Sequence, residues 1–196
     1  MVAGGAVHSL LTNHTFIMRK ILLSLVGVAL MSGLAAQESR VSIGLEAGLP
    51  MGDFGDFYGV GIGGTLGYEI PVGDNLGVVA QAGYLTFAGK DYDLGIVKVE
   101  GSSLGAIPIQ VGAKYYFTDN QEGAYLGALT GVHLLSSEGS DGSTNFGVAP
   151  MLGFFVTENV DIAVRYQMLF DKNELTDESV TNSYLGIRAA YTFGGR

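Results

Sequence analysis

His133 stands three residues before Ser136 and four before Ser137, and Glu138 follows. Imidazole, hydroxyl and carboxylate are the parts of nucleophilic catalysis. That chemistry needs the hydroxyl within hydrogen-bond reach of the ring and a third group to orient it. The serines, however, open a low-complexity stretch, SSEGSDGST. Two other segments resemble calcium loops, MGDFGDF at 51–57 and SEGSDGS at 137–143, but they lack the ligand number and spacing of one. The glycines of GVGIGGTLG at 59–67 do not lead from a strand into a helix, so no nucleotide fingerprint is formed. The sequence therefore predicts no cofactor, no metal ligand set and no catalytic residue. It leaves His133 with Ser136 as the one weak rim candidate for chemistry.

The elements that would hold such residues are all strands. Residues 160–170 read VDIAVRYQMLF. Val160, Ile162, Val164, Tyr166, Met168 and Phe170 share one parity, and Asp161, Arg165 and Gln167 share the other. Alternate side chains of a strand point to opposite faces, so one face is apolar and one polar. Seven further segments alternate in the same way: 41–49, 58–70, 76–88, 102–117, 124–135, 145–156 and 183–193. Each has about the ten residues that a tilted strand needs to cross an outer membrane. No segment after residue 36 shows a capped 3.6-residue period, so no helix is expected there.

The connections 50–57, 71–75, 89–101, 118–123, 136–144, 157–159 and 171–182 alternate between long and short. An antiparallel meander then gathers the long ones at one end and the short ones at the other. Outer-membrane barrels sort their loops in this way. The apolar parity is continuous from strand to strand. The other parity is rich in glycine and carries Glu46, Thr65, Glu69, Gln81, Gln110, Lys114, Tyr125, His133, Asp161, Arg165, Gln167, Tyr184 and Arg188. A water-facing sheet would carry more lysine, glutamate and serine. Glycines with isolated polar groups suit the crowded lumen of a narrow barrel. The apolar face is therefore assigned to lipid and the polar face to the lumen.

The lumen parity holds three acids, Glu46, Glu69 and Asp161, and three bases, Lys114, Arg165 and Arg188. Buried charges must be paired. Position along the strands predicts two layers, Glu46 with Arg165 and Arg188, and Glu69 with Lys114 and Asp161 nearer the short turns. They form a structural ionic cluster filling the lumen. Outward aromatics form two expected belts, Tyr68, Tyr115, Phe117, Tyr191 and Phe193 near the short turns and Tyr58, Tyr84, Phe146 and Phe170 near the long loops. Pro108 and Pro150 fall within strands, where a bulge or a rim position is expected.

The first residues carry an address. Met18-Arg19-Lys20 precedes an apolar run that ends in small residues at Ala35 and Ala36, the pattern of a secretory signal at 18–36. Residues 1–17 then form an upstream extension, and the barrel domain is 38–196. Beyond residue 36 there are eight basic and nineteen acidic side chains, a formal charge of −11. That balance argues against nucleic acid as a partner. The absence of cysteine excludes a disulfide framework.

In these features the chain resembles the small eight-stranded outer-membrane β-barrels of the OmpA and OmpX type in Gram-negative bacteria. More closely, it is similar to the small proteins of the outer membrane protein β-barrel domain. The signal ending LAAQ, the strand VSIGLEAGLP, the run IPIQVGAKYYF into a short turn and the final SYLGIRAAYTF carry the likeness. Gly194-Gly195-Arg196 follow Phe193, where such barrels often end on an aromatic residue, and the anchoring role of a peptidoglycan-binding domain is not expected.

The resemblance implies an all-β, eight-stranded antiparallel up-and-down transmembrane barrel in the outer membrane, monomeric, with both termini periplasmic. Its partners would be outer-membrane lipids, lipopolysaccharide and the barrel-assembly machinery. The expected role is structural or surface-interacting and not enzymatic. An extracellular partner could meet the acidic long loops, whose formal charge sums to −8. A hairpin extended by Val97-Lys98-Val99 could also offer an edge for strand addition. The alternatives are a narrow porin-like pore and a rim enzyme acting on lipid A through His133 and Ser136. A soluble lipocalin-type barrel would need an apolar interior.

Overall fold

The structure is a computed structural model, and it describes residues 39–93, 98–99, 101–137, 142–172 and 179–194. Eight long strands account for nearly all of them: β1 (Arg40–Met51), β2 (Tyr58–Pro71), β3 (Leu76–Gly89), β4 (Leu104–Tyr116), β5 (Ala124–Ser137), β6 (Ser143–Phe155), β7 (Val160–Lys172) and β8 (Ser179–Phe193). Each pairs antiparallel with its neighbours in sequence, and β1 closes on β8. The result is an up-and-down barrel without an open edge. At a rise of about 3.3 Å per residue and a tilt of roughly 40°, even twelve residues span about 30 Å, enough for an apolar band ~25 Å tall. Among the described residues no helix is long and apolar enough to cross a membrane; the strands do so.

The alternation decides which face meets lipid. Glu46 is 3% exposed, while its neighbour Leu45 is 76% exposed. The same contrast holds around the barrel. Ile62, Val111, Leu126, Leu152 and Ile187 are exposed, and Thr65, Gln110, Tyr125, Arg165 and Arg188 are buried. The buried face is the one with the charges, so the apolar face is the lipid face. The interior has room for large side chains because glycines stand opposite them. A Cβ on Gly153 would sit 2.1 Å from Cζ of Tyr125, and one on Gly61 would sit 2.4 Å from Cδ1 of Phe87. Each glycine is the floor on which a ring lies.

Four sequence expectations change. A five-residue helix, α1 (Asp53–Phe57), fills the first long loop, and a 3₁₀ turn spans Asp119–Gln121. Both are too short to show a helical period in sequence. Neither proline makes a bulge. Pro108 opposes His133 and Pro150 opposes Ala128 in unbroken register. On the far side of each proline two ladder pairs are missing and the register then resumes unchanged. The register shift lies instead between Tyr58 and Gly61 on β2. That shift turns Tyr58 inward against Phe54, with ring centroids 5.0 Å apart, so Tyr58 leaves the outer belt. Finally, the strict alternation of connection length disappears. β5, β7 and β8 reach further into the loops than their alternation indicated, leaving 138–142 and 173–178 between strands against 117–123 at the other end.

The turn end is tied by side-chain amides. Gln121, at φ 56°, donates from Nε2 to the carbonyls of Gly73 and Leu76 at 3.0 and 2.9 Å. Arg40 donates to the Gln121 carbonyl at 2.9 Å, and Asn159 to that of Thr192 at 2.9 Å. The Gln121 amide thus gives the Gly73 carbonyl a partner and the Leu76 carbonyl, which already accepts from the Val72 N–H at 2.7 Å, a second one. At the loop end, Lys98–Val99 pairs with Tyr92–Asp93 in a small ladder separate from the barrel. Val97 lies outside the described residues, as do the proposed signal at 18–36, the extension at 1–17, and Glu138.

Candidate functional site

Among the described residues the lumen is where the fold concentrates charge away from water, and it has two storeys. Nearer the short turns, Lys114 Nζ lies 2.8 Å from Glu69 Oε2 and 4.0 Å from Asp161 Oδ2. Arg188 approaches the same Asp161 oxygen at 3.4 Å. Two tyrosines complete the carboxylates: Tyr116 donates to Glu69 at 2.5 Å and Tyr125 to Asp161 at 2.8 Å. Lys114 also sits 4.6 Å from the Tyr125 ring centroid, a cation–π contact. Arg188 spends its remaining donors on Thr65 at 2.7 Å and Ser42 at 2.9 Å. Every charged group here has an opposite charge and a neutral hydrogen-bond partner or ring beside it, as burial demands.

Higher up, Arg165 meets Glu46 at 2.5 Å. Its other donors reach Tyr184 and Gln110, both at 3.4 Å, and Gln110 donates to Gln167 at 3.0 Å. Glu46 and Arg188 are direct partners across β1 and β8. Yet the Arg188 guanidinium turns towards Asp161, and Glu46 is left to Arg165. The expected layering therefore differs in one member: Arg188 belongs with Glu69, Lys114 and Asp161.

The weak rim pair is not assembled. His133 is fully buried in the lumen, while Ser136 is an odd number of residues away and lies on the outer side. A Cβ on Gly105 would lie 3.2 Å from Ser136 Oγ and 3.1 Å from the hydroxyl of Tyr84, which is 54% exposed on the lipid face. Among the described residues no group of three or more His, Asp and Glu side chains could hold a metal ion.

Sequence reasoning missed two groups. Asn145, opposite His133 across β5 and β6, is 2% exposed, and neither its amide oxygen nor its nitrogen has a hydrogen-bond partner. Its inward parity was the available signal. Phe54 of α1 is buried against Phe87 at 5.3 Å, and Phe87 against Tyr184 at 5.3 Å. Nothing local marks Phe54, because its burial depends on the loop folding back over the barrel mouth.

A closed eight-stranded barrel with an apolar belt and a paired polar lumen has clear relatives. The family model of the outer membrane protein beta-barrel domain matches residues 21–193. The chain belongs to that family. Outer membrane protein β-barrels of this kind reside in the outer membrane of Gram-negative bacteria, in contact with its lipids.

Among solved structures the barrel is similar to Ail, the attachment invasion locus protein of Yersinia pestis, in complex with the heparin analogue sucrose octasulfate. The identity is 19%, the TM-score 0.51, and 79% of this chain and 97% of that one are covered. Ail in a phospholipid bilayer nanodisc also has TM-score 0.51 and 19% identity, with 80% and 100% covered. Neisserial surface protein A follows at TM-score 0.49 and 18% identity, with 79% and 97% covered. At these identities the likeness is one of fold. No curated protein matches the sequence.

Proposed function

We propose that this outer membrane protein β-barrel is a non-catalytic surface-interaction protein whose lumen is closed. The observation that carries this reading is the lower ionic network. Glu69, Lys114, Asp161 and Arg188 come from β2, β4, β7 and β8 and meet within 4.0 Å across the lumen, beneath the Arg165–Glu46 pair. Such a plug leaves function to the outer surface. The long loops are acidic, with a formal sum of −8. A sulfated polyanion of the kind in the Ail complex is therefore a poor electrostatic match, and a basic partner a good one. Contact with lipopolysaccharide phosphates would run through divalent cations.

Planar-bilayer recording tests the closed lumen. The purified protein is expected to show no steady single-channel conductance, and the double variant Lys114→Ala/Asp161→Ala to show more than the parent. Steady conductance in the unmodified protein would establish the pore instead. Against the rim-enzyme alternative stands the placement of its pair, with His133 buried in the lumen and Ser136 exposed at the rim. Lipid A from cells carrying His133→Ala should give an unchanged mass spectrum.

A further inference from the structure

The loop end of the lumen is asymmetric. On the side of β1, β2 and β3 it is filled by the rings of Phe54, Phe87 and Tyr184, packed edge to face. On the side of β4 to β8 it opens into a cavity of about 460 Å³, within the usual range for a small-molecule site. Its wall is mixed: Phe54, Leu104, Leu135 and Leu169 give much of the apolar part, and serines of β5 and β6 with Asp53 and Asp171 much of the polar part. Asn145 lines it too, with both amide atoms unpartnered. Across the ladder from Asn145, buried and not itself lining the cavity, is His133, whose two ring nitrogens are also unpartnered. Its ring lies over Gly147, where a Cβ would be 2.9 Å from Nδ1.

Buried polar atoms without partners are rare, and four on two adjacent side chains call for a partner from outside the chain. Between them an imidazole and an amide offer both donors and acceptors. They suit a group that is itself donor and acceptor, such as a hydroxyl or a primary amide. A cation is disfavoured at that depth, because Gln167, which shares the space over Gly147 with His133, is linked through Gln110 to the Arg165 guanidinium. At the mouth the sign is reversed, since Asp53 and Asp171 are carboxylates.

We propose that this vestibule binds a small primary amine with an apolar body and a distal hydroxyl or amide. The distal group bonds to Asn145 and His133, the body lies between Phe54, Leu104, Leu135 and Leu169, and the ammonium stays near Asp53 and Asp171. The site is independent of whether the lumen conducts, because it lies above the Arg165–Glu46 pair.

Tyramine is a suitable probe. It is titrated into the full chain in lipid nanodiscs, followed by calorimetry and by the histidine ring NMR signals, with His133 assigned through H133Q. Tyramine is expected to bind saturably and to shift the His133 signal. Phenethylamine, which lacks the hydroxyl, and 4-ethylphenol, which lacks the ammonium, should each bind about tenfold more weakly. Asn145→Leu should weaken tyramine to the level of phenethylamine, and Leu135→Trp, which fills the cavity from its wall, should abolish binding. Heat-modifiable gel mobility checks that each variant is folded. The proposal is overturned if tyramine leaves His133 unshifted in the unmodified protein. It also fails if folded Asn145→Leu or Leu135→Trp binds tyramine as well as the parent, which would mark partition into lipid.

Discussion

The two ends of the lumen solve the same problem differently. Near the short turns each buried charge is answered: Asp161 alone receives Arg188, Lys114 and Tyr125. Near the long loops the filling is aromatic on one side, and on the other His133 and Asn145 are buried with no partner. A satisfied network fixes a structure; an unsatisfied pair is polarity held open for something else. The turn end is thus the part that holds the barrel closed, and the loop end is the part that can still gain a contact.

The largest effect expected from breaking this contrast is at Asp161. Asp161→Ala strands Arg188 and the Tyr125 hydroxyl in the lumen. Removing one partner of a buried ionic network costs about 3–5 kcal/mol. Denaturant titration in lipid vesicles should show that loss. A change below ~1 kcal/mol would mean that water reaches the lower network freely.

Next is the lipid face. Leu45→Arg, midway along β1, should cost roughly 2–4 kcal/mol in a bilayer. If the same assay shows no loss, the assignment of the two faces is wrong. Smaller again is Gly153→Val, where the new side chain meets the Tyr125 ring; overpacking of this kind costs about 1–3 kcal/mol. The smallest effect is expected at the loop end. His133→Leu removes no hydrogen bond and should change stability by less than ~1 kcal/mol, with stabilisation a permitted sign. Were His133→Leu as costly as Asp161→Ala, the two ends would be energetically alike and the contrast would fall.

Much of this contrast is legible in the residue pattern. Strict alternation in 160–170 names both faces of β7, and the same parity in the other strands places Glu46, Gln110, Tyr125 and Arg188 inside. Period-2 patterning is a local property, and a barrel strand has only two faces to choose between. The end of the alternation is less reliable. At Tyr58 one register shift moves a ring from the lipid side to the lumen, and parity counting has no means of seeing a bulge.

Spacing along the chain thus determines the number of strands, their meander and the sorting of polar from apolar side chains. The tertiary structure decides which charges meet. Arg188 is the cross-strand neighbour of Glu46 and still turns to Asp161. A long guanidinium reaches past its neighbour to wherever several acceptors converge, here Asp161, Thr65 and Ser42 from three strands. The tertiary structure alone also folds Phe54 over the mouth and leaves Asn145 beside an open cavity. These depend on strands distant in sequence closing into one cylinder, and no local pattern records that closure.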